Sequence, residues 1–537
     1  MPTPIDAATA KAWLSDGAEI AFLDVREPGQ YGEGHPFFAI PLPYSVFELR
    51  LPDLAPNPAV RLVLLDDGDE VAVRAAGRAE AMGYTHVHFV RGGAGGWKRA
   101  GFTLFAGVNV PSKTFGELIE HQRHTPRITA GELDRLRKSG EKLVIVDGRP
   151  LAEYGRMNIP GGVCCPNGEL ALRIGELVRD ADTRIVVNCA GRTRSIIGAE
   201  TLRALGLPNP IAALENGTQG WFLAGLQLEN GSARTHSGAR PSDDVLAARA
   251  ARLRAAAEHS GAGFADRARV AGWLAETGRT TFLLDVRSPE EHAARSIEGA
   301  VPAPGGQLIQ ATDQWVGVKG ARLVLIDDDG VRAPMVAQWL AQLGHETWVL
   351  DGGAEAATGL RQTQRPVPGL EVLPAVSATA VVEAMRRGVP LLDLRASAAY
   401  RAGHVAGARW SIRPRLDGVK PGAANSGSGS GSGSGSISEI LVAGPRDEVA
   451  VAARDLVEAG WTSVRHLDGG PVEWKAAGLD VVTSPADPPD SERIDFLFFV
   501  HDRHDGNAAA ARRYLEWETG LLAQLDEQER SVFRIVG

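Results

Sequence analysis

One stretch of the chain gathers residue types able to do covalent chemistry: Cys189-Ala190-Gly191-Arg192-Thr193-Arg194-Ser195. The apolar run RIVVN ahead of Cys189 reads as a strand, and SIIGAETLRALG behind the arginines reads as a helix. A cysteine between a strand end and a helix N-terminus meets amide N–H groups of the loop and first helical turn. The helix dipole and two guanidinium groups favour thiolate over thiol, and thiolate is the nucleophile. Gly191 lets the backbone curl close to the sulfur. Ser195 is a candidate cap for the helix. Arg192 and Arg194 offer planar forks for a sulfonate-like or carboxylate group. Such a thiolate attacks the outer sulfur of a sulfane donor, and the arginines and loop amides hold the departing sulfite. The persulfide then yields its terminal sulfur to a second nucleophile, which is covalent catalysis in two half-reactions. The opposing reading, a buried inert cysteine, is disfavoured by the loop and both arginines.

Other candidates carry weaker signals. Cys164 and Cys165, in GGVCCPNGEL, read as small apolar packing, with a second sulfur-relaying thiol as the alternative. HDRHDG, with His501, Asp502, His504 and Asp505, has metal-like residue types, but turn and capping roles are preferred and no metal is expected. His121 and His124 fall in a solvated connecting helix. Trp97, Trp221 and Trp474 recur after glycine turns, which argues for a shared packing site.

The elements that position these residues repeat four times. FLDVRE, IVDGRP, LLDVRS and LLDLRA place an aspartate two positions before an arginine: Asp24 and Arg26, Asp147 and Arg149, Asp285 and Arg287, Asp393 and Arg395. Each unit then has a second apolar run, a helical pattern, a third run and a glycine turn. Asp24 to Asp66, Asp147 to Cys189 and Asp285 to Asp327 all span 42 positions, whereas Asp393 to Ala443 spans 50. Short apolar strands alternating with amphipathic helices require a parallel sheet covered by helices, so the fold class is α/β. The expected divisions are 1–108, 109–235, 260–368 and 372–486, with a small α/β extension over 487–537. In that extension IDFLFFV reads as a strand and GNAAAARRYLEWETGLLAQLDEQE as helix. The longer spacing in the fourth unit contains Ser426 to Ser436, an alternating Gly/Ser tract. Its regularity reads as an engineered replacement of a mobile loop, and no function is expected in it.

Bulk properties remove several classes. The chain has 537 residues, 44% hydrophobic and 23% charged, enough for several cores. Its net charge of −9 disfavours nucleic acid and anionic membranes as partners. No run is long and apolar enough to span a bilayer, and nothing resembles a signal peptide. Three cysteines do not make a disulfide framework, so a reducing cytoplasm is the expected location.

The repeated unit resembles the rhodanese domain, in four tandem copies covering nearly the whole chain, and CAGRTRS resembles the basic active-site loop of thiosulfate-type rhodaneses. The resemblance implies a five-stranded parallel sheet between helices in each copy. It also implies Cys189 as sulfur carrier and Ala190 to Arg194, with Ser195 and Arg149, as the donor-binding frame. No cofactor is implied; the partners are a small-molecule sulfur donor and a thiophilic acceptor such as cyanide, glutathione or a protein thiol. Asp66, Asp327 and Ala443 stand where the other copies would carry the cysteine, so those copies resemble inactive domains. Two of them put acid where an anionic donor would sit, which repels it. Their expected roles are scaffolding, cleft walls or a homodimer surface, with binding of a cationic partner as the sharper alternative. Three rivals remain. A cysteine phosphatase needs five residues between Cys and Arg, whereas four separate Cys189 from Arg194. A 3-mercaptopyruvate donor suits a less basic loop. A non-enzymatic persulfide carrier would load sulfur without turnover.

Overall fold

The computed structural model describes residues 2–361, 370, 372–422, 438–501, 503 and 506–537. The Gly/Ser tract, and Asp502, His504 and Asp505 of HDRHDG, lie outside the described residues.

The first three units each form a five-stranded parallel sheet with the first strand at one edge, followed by the fifth, fourth, second and third. In the second unit the strands are Arg127–Ile128, Leu143–Asp147, Val163–Cys164, Arg184–Asn188 and Ile211–Leu214. The central strands are apolar throughout because helices cover both faces; Ile185, Val186 and Val187 are wholly buried. Asp147 pairs with Asn188, so the ends of the two central strands lie side by side at the carboxyl edge of the sheet. Loops at that edge are where open parallel sheets hold ligands.

The fourth unit is reduced. Its sheet has four strands, Leu391–Asp393, Arg409–Trp410, Glu439–Ala443 and Ser463–Leu467. A parallel bridge from Ala375 to His466 marks the missing edge. His404–Val405 pairs instead with Val481–Val482 in an antiparallel ribbon.

The Asp-x-Arg repeat is a structural latch in all four copies. Arg26, Arg149, Arg287 and Arg395 each bond both oxygens of the aspartate two positions earlier. Each also donates to a carbonyl eight positions on, at Gly34, Met157, Arg295 and Gly403. The recurrent tryptophans are packing elements, as expected: Trp97, Trp221 and Trp474 are buried, and each indole N–H reaches a backbone carbonyl.

The copies meet at several junctions, and the first and third join at an antiparallel bridge between Ile20 and Lys319. Between the second and third, the helices Asn167–Leu177 and Gly305–Gln310 cross so closely that a Cβ on Gly168 would lie 2.6 Å from the Gly306 amide nitrogen. Arg332, 1% exposed, sits in that junction against Glu169, Glu291, Asp328 and Asp329. Between the first and fourth, Arg413 is buried against Glu48 and Asp455, and the Tyr44 hydroxyl donates to Asp455.

The C-terminal segment corrects one expectation. Ile494 to Val500 is not a strand but a series of turns ending in the 3₁₀ turn Phe498–Val500. It binds as a strap rather than as an α/β layer: the Gly29 amide donates to Ile494, and Leu497 fills the space above Gly32. The strap is tied to the fourth copy by Asp495, which accepts from the Ser397 amide. Its helix Ala508–Thr519 lies on the second copy, Glu529 pairs with Lys11 of the first, and Arg534 bonds Gln342 of the third. Among the described residues no helix is long and apolar enough to cross a membrane.

Candidate active site

Cys189 lies directly after the strand Arg184–Asn188, and the helix Thr193–Ala204 begins four residues later. The glycine turn of the same copy holds the loop from behind. The Thr218 amide donates to the Cys189 carbonyl at 2.8 Å and the Gln219 amide to Ala190 at 3.2 Å. This approach demands glycine at 217, whose φ is +55° and where a Cβ would lie 2.3 Å from the Cys189 oxygen. Asn167 reaches over from its own helix and donates to the Arg194 carbonyl.

Cys189 forms part of the lining of a cleft of about 830 Å³, although the residue is only 2% exposed. Among the described residues, the amide N–H groups of Ala190, Gly191, Arg192, Thr193 and Arg194 have no protein acceptor. Buried amides almost always find a partner, so a run of five has the geometry to hold an anion.

The arginines are placed differently from the expectation of open forks. Arg194 is bidentate to Glu153, at 2.9 and 2.8 Å. Burial opposes its charge, but Glu153 and the nearby Cys189 hold its pKa above the ordinary value. Arg192 is turned into Glu117, at 2.6 and 3.0 Å, and into Glu120. Burial pushes the Glu117 carboxyl up to about 7, against the opposing pull of Arg192. Glu117 and Glu120 lie on the connecting helix Val110–Arg123, which is buried over most of its length rather than solvated; His121 and His124 at its end are exposed. Arg149 is held by its latch, yet its Nη1 has no acceptor among the described residues, and Arg149 lines the cleft beside Cys189. Cys189 is among the groups that raise its pKa.

Ser195 does not cap the helix. It lies within the first turn, the N-cap residue is Arg192, and the buried Ser195 Oγ has no partner among the described residues. A hydroxyl inside the turn cannot reach back to the first amides as a residue before the helix can. Cys164 and Cys165 are fully buried; burial pushes the Cys164 thiol up to about 12 and the Cys165 thiol well above its ordinary value. Both behave as packing residues, and neither lines the cleft. Among the described residues no cluster of His, Cys, Asp and Glu fits a metal ion.

Several cleft residues come from outside the second copy: Lys113 of the connecting helix, Gln307 and Gln310 of the third copy, and Phe496, Tyr514 and Glu518 of the strap. No sequence signal marks them, because their partners lie far away along the chain. The Glu117 and Glu120 pair has the i,i+3 spacing of one helix face, but nothing local points that face at Arg192.

Comparison with known proteins agrees with this architecture. The rhodanese-like domain family model matches residues 6–100, 129–224, 268–359 and 377–477. A crystal structure of thiosulfate sulfurtransferase from Pseudomonas aeruginosa superposes with a TM-score of 0.88 at 39% identity, covering 99% of each chain. An HTH-type transcriptional regulator of Mycobacterium tuberculosis is 37% identical over 110 residues, 20% of this chain; the chain spans 47% of that curated relative. Four matched repeats, their shared sheet order and a full-length relative together make this chain a member of the rhodanese-like domain family.

Proposed function

We propose that the protein is a sulfurtransferase that carries sulfur on Cys189 from thiosulfate, or a similar sulfane donor, to a thiophilic acceptor. The Cys189 thiolate attacks the outer sulfur of thiosulfate. The new S–S bond forms as the bond to the central sulfur breaks, and sulfite leaves with the electron pair. The unpartnered amides of residues 190–194 and Arg149 Nη1 stabilise the charge that develops on donor and persulfide, a preorganised arrangement that needs no rearrangement during reaction. Cyanide or a thiolate then attacks the terminal sulfur and releases Cys189 as thiolate.

The observation that carries this reading is the run of five free amides around a cysteine on the wall of an open cleft. Similarity to a full-length protein called thiosulfate sulfurtransferase supports the choice of donor. The loop is one residue shorter than a phosphate-enclosing Cys-to-Arg loop, and Glu153 occupies both prongs of Arg194, so phosphate transfer is disfavoured. The remaining copies serve as walls and ties of the cleft. The test is thiocyanate production from thiosulfate and cyanide, with intact mass recorded after exposure to thiosulfate alone. The native chain gains one sulfur atom at Cys189 and turns over. Loading without turnover would favour a persulfide carrier, and no loading would refute the proposal.

A further inference from the structure

The cleft contains a carboxylate that sulfur transfer from an anion does not call for. Glu518, on the strap helix, is 0% exposed and lines the same cleft as Cys189. Its Oε1 accepts from the Thr193 hydroxyl at 2.9 Å and pairs with Lys113 at 3.2 Å. Its Oε2 has no partner among the described residues and points at the loop: a Cβ on Gly191 would lie 2.9 Å away. Burial favours the neutral acid, but Lys113 and Thr193 hold Glu518 below the ordinary carboxylate range, so it is charged.

The arginines of the loop and of its latch are already matched, while Arg156 and Arg503 stand further along the cleft wall. Arg149 faces Asp147, Arg194 faces Glu153, and Arg192 faces both Glu117 and Glu120. Lys113 is the counter-ion of Glu518 itself. A loop flanked by balanced pairs, with one carboxylate oxygen turned toward it, accommodates one negative charge more readily than two.

We propose that Glu518 is a specificity-determining residue, whose carboxylate, set against the Cys189 loop by the C-terminal strap, selects sulfur donors carrying one negative charge over donors carrying two. The proposal rests on the sulfur-transfer reading and narrows its donor class. Methanethiosulfonate is the matching monoanion. Cys189 attacks its outer sulfur, the bond to the sulfonyl sulfur breaks, and methanesulfinate leaves with the electron pair.

The experiment measures kcat/KM for thiosulfate and for methanethiosulfonate, with cyanide as acceptor, in the native chain and in Glu518→Gln. Glutamine retains an oxygen for Thr193 and removes the charge. The ratio of thiosulfate to methanethiosulfonate should rise about tenfold in the variant, the order expected for one partly screened unit charge. A ratio that stays put while both donors turn over overturns the proposal. Glu518→Asp is the second variant: it keeps the charge but draws the carboxylate back from Gly191, and the ratio should rise by less than in Glu518→Gln. If Glu518→Gln does not fold, an unmoved ratio in Glu518→Asp overturns the proposal instead. A native chain that uses neither donor refutes the sulfur-transfer reading and this proposal with it, a result distinct from turnover with an unmoved ratio.

Discussion

The loop after Cys189 and its counterparts after Asp66 and Asp327 share one backbone frame but satisfy it from opposite sides. In the first copy Asp66 turns inward and accepts from the Gly68 amide at 2.8 Å and the Ala72 amide at 3.0 Å. In the third, Asp327 accepts from the Ala333 amide at 2.9 Å, while Asp329 takes the Val331 and Arg332 amides. The next residue also differs. Asp67 engages Nη1 of the latch arginine Arg26, and Asp328 reaches Arg287 Nη1 at 3.4 Å. Ala190 in the second copy can do neither. The acidic copies thus carry their own anion, covalently attached, in the place where the cysteine copy leaves amides and an arginine prong for one from outside. The copies without the cysteine do not leave an empty cradle, because buried unpartnered amides cost about 1–3 kcal/mol each. Burial pushes the Asp66 and Asp327 carboxyls upward, and the loop amides oppose that rise. The acids expected to repel a donor thus also occupy amides that the second copy leaves without a partner among the described residues.

This contrast can be attacked directly. The largest effect is expected from Cys189→Ser, which should abolish thiocyanate formation by at least about 10³-fold while leaving the melting temperature near native. Residual turnover above that level would place a second sulfur carrier in the chain. Next, Ala190→Asp copies the acidic loops into the second copy and should engage Arg149 Nη1. We expect kcat/KM for thiosulfate to fall by about a hundredfold, with sulfur loading of Cys189 slowed in parallel. An unchanged rate would mean that the free prong of Arg149 plays no part. Arg332→Met tests the junction rather than the loop. It removes the buried guanidinium that four carboxylates share and should cost about 3–5 kcal/mol, seen as a lowered melting temperature.

The smallest effect concerns Glu27, which follows the first latch where the second copy has Pro150. Burial pushes its carboxyl up to about 7, against hydrogen bonds from Ser45, from an ordinary value of 4.5. The folded chain therefore retains a proton that the unfolded chain has released. Stability falls as pH rises between those values, by at most about 1.4 kcal/mol per unit, and is level above them. Glu27→Gln lacks this slope, so its melting temperature should gain on the native chain between about pH 5 and pH 7 and run parallel to it above. Curves parallel throughout would contradict the assignment.

Much of this molecule is legible in the order of its residues. The four Asp-x-Arg pairs, the 42-position spacing shared by three copies and the glycine turns are local patterns, and each corresponds to a local device: latch, strand-to-loop distance, and close backbone approach. The placement of Cys189 at a strand end before a helix follows from the same periodicities. Ser195 departs from its expected capping role because the helix starts two residues earlier than its hydrophobic pattern suggests, and polar Thr193 and Arg194 leave no periodic mark.

Residue order settles which stretches become strands, where the loops bend and which loop holds the cysteine of the proposed sulfur chemistry, because those outcomes depend on contacts within a few dozen positions. Which carboxylate meets which arginine does not follow from it. Glu117, Glu153 and Glu518 lie 75, 41 and 325 positions from their partners in the Cys189 loop. Such long-range pairs are set by how four sheets and a strap pack, where burial removes water and leaves each charge dependent on its neighbour. The charge of the cleft, on which the proposed donor preference rests, is a property of that packing.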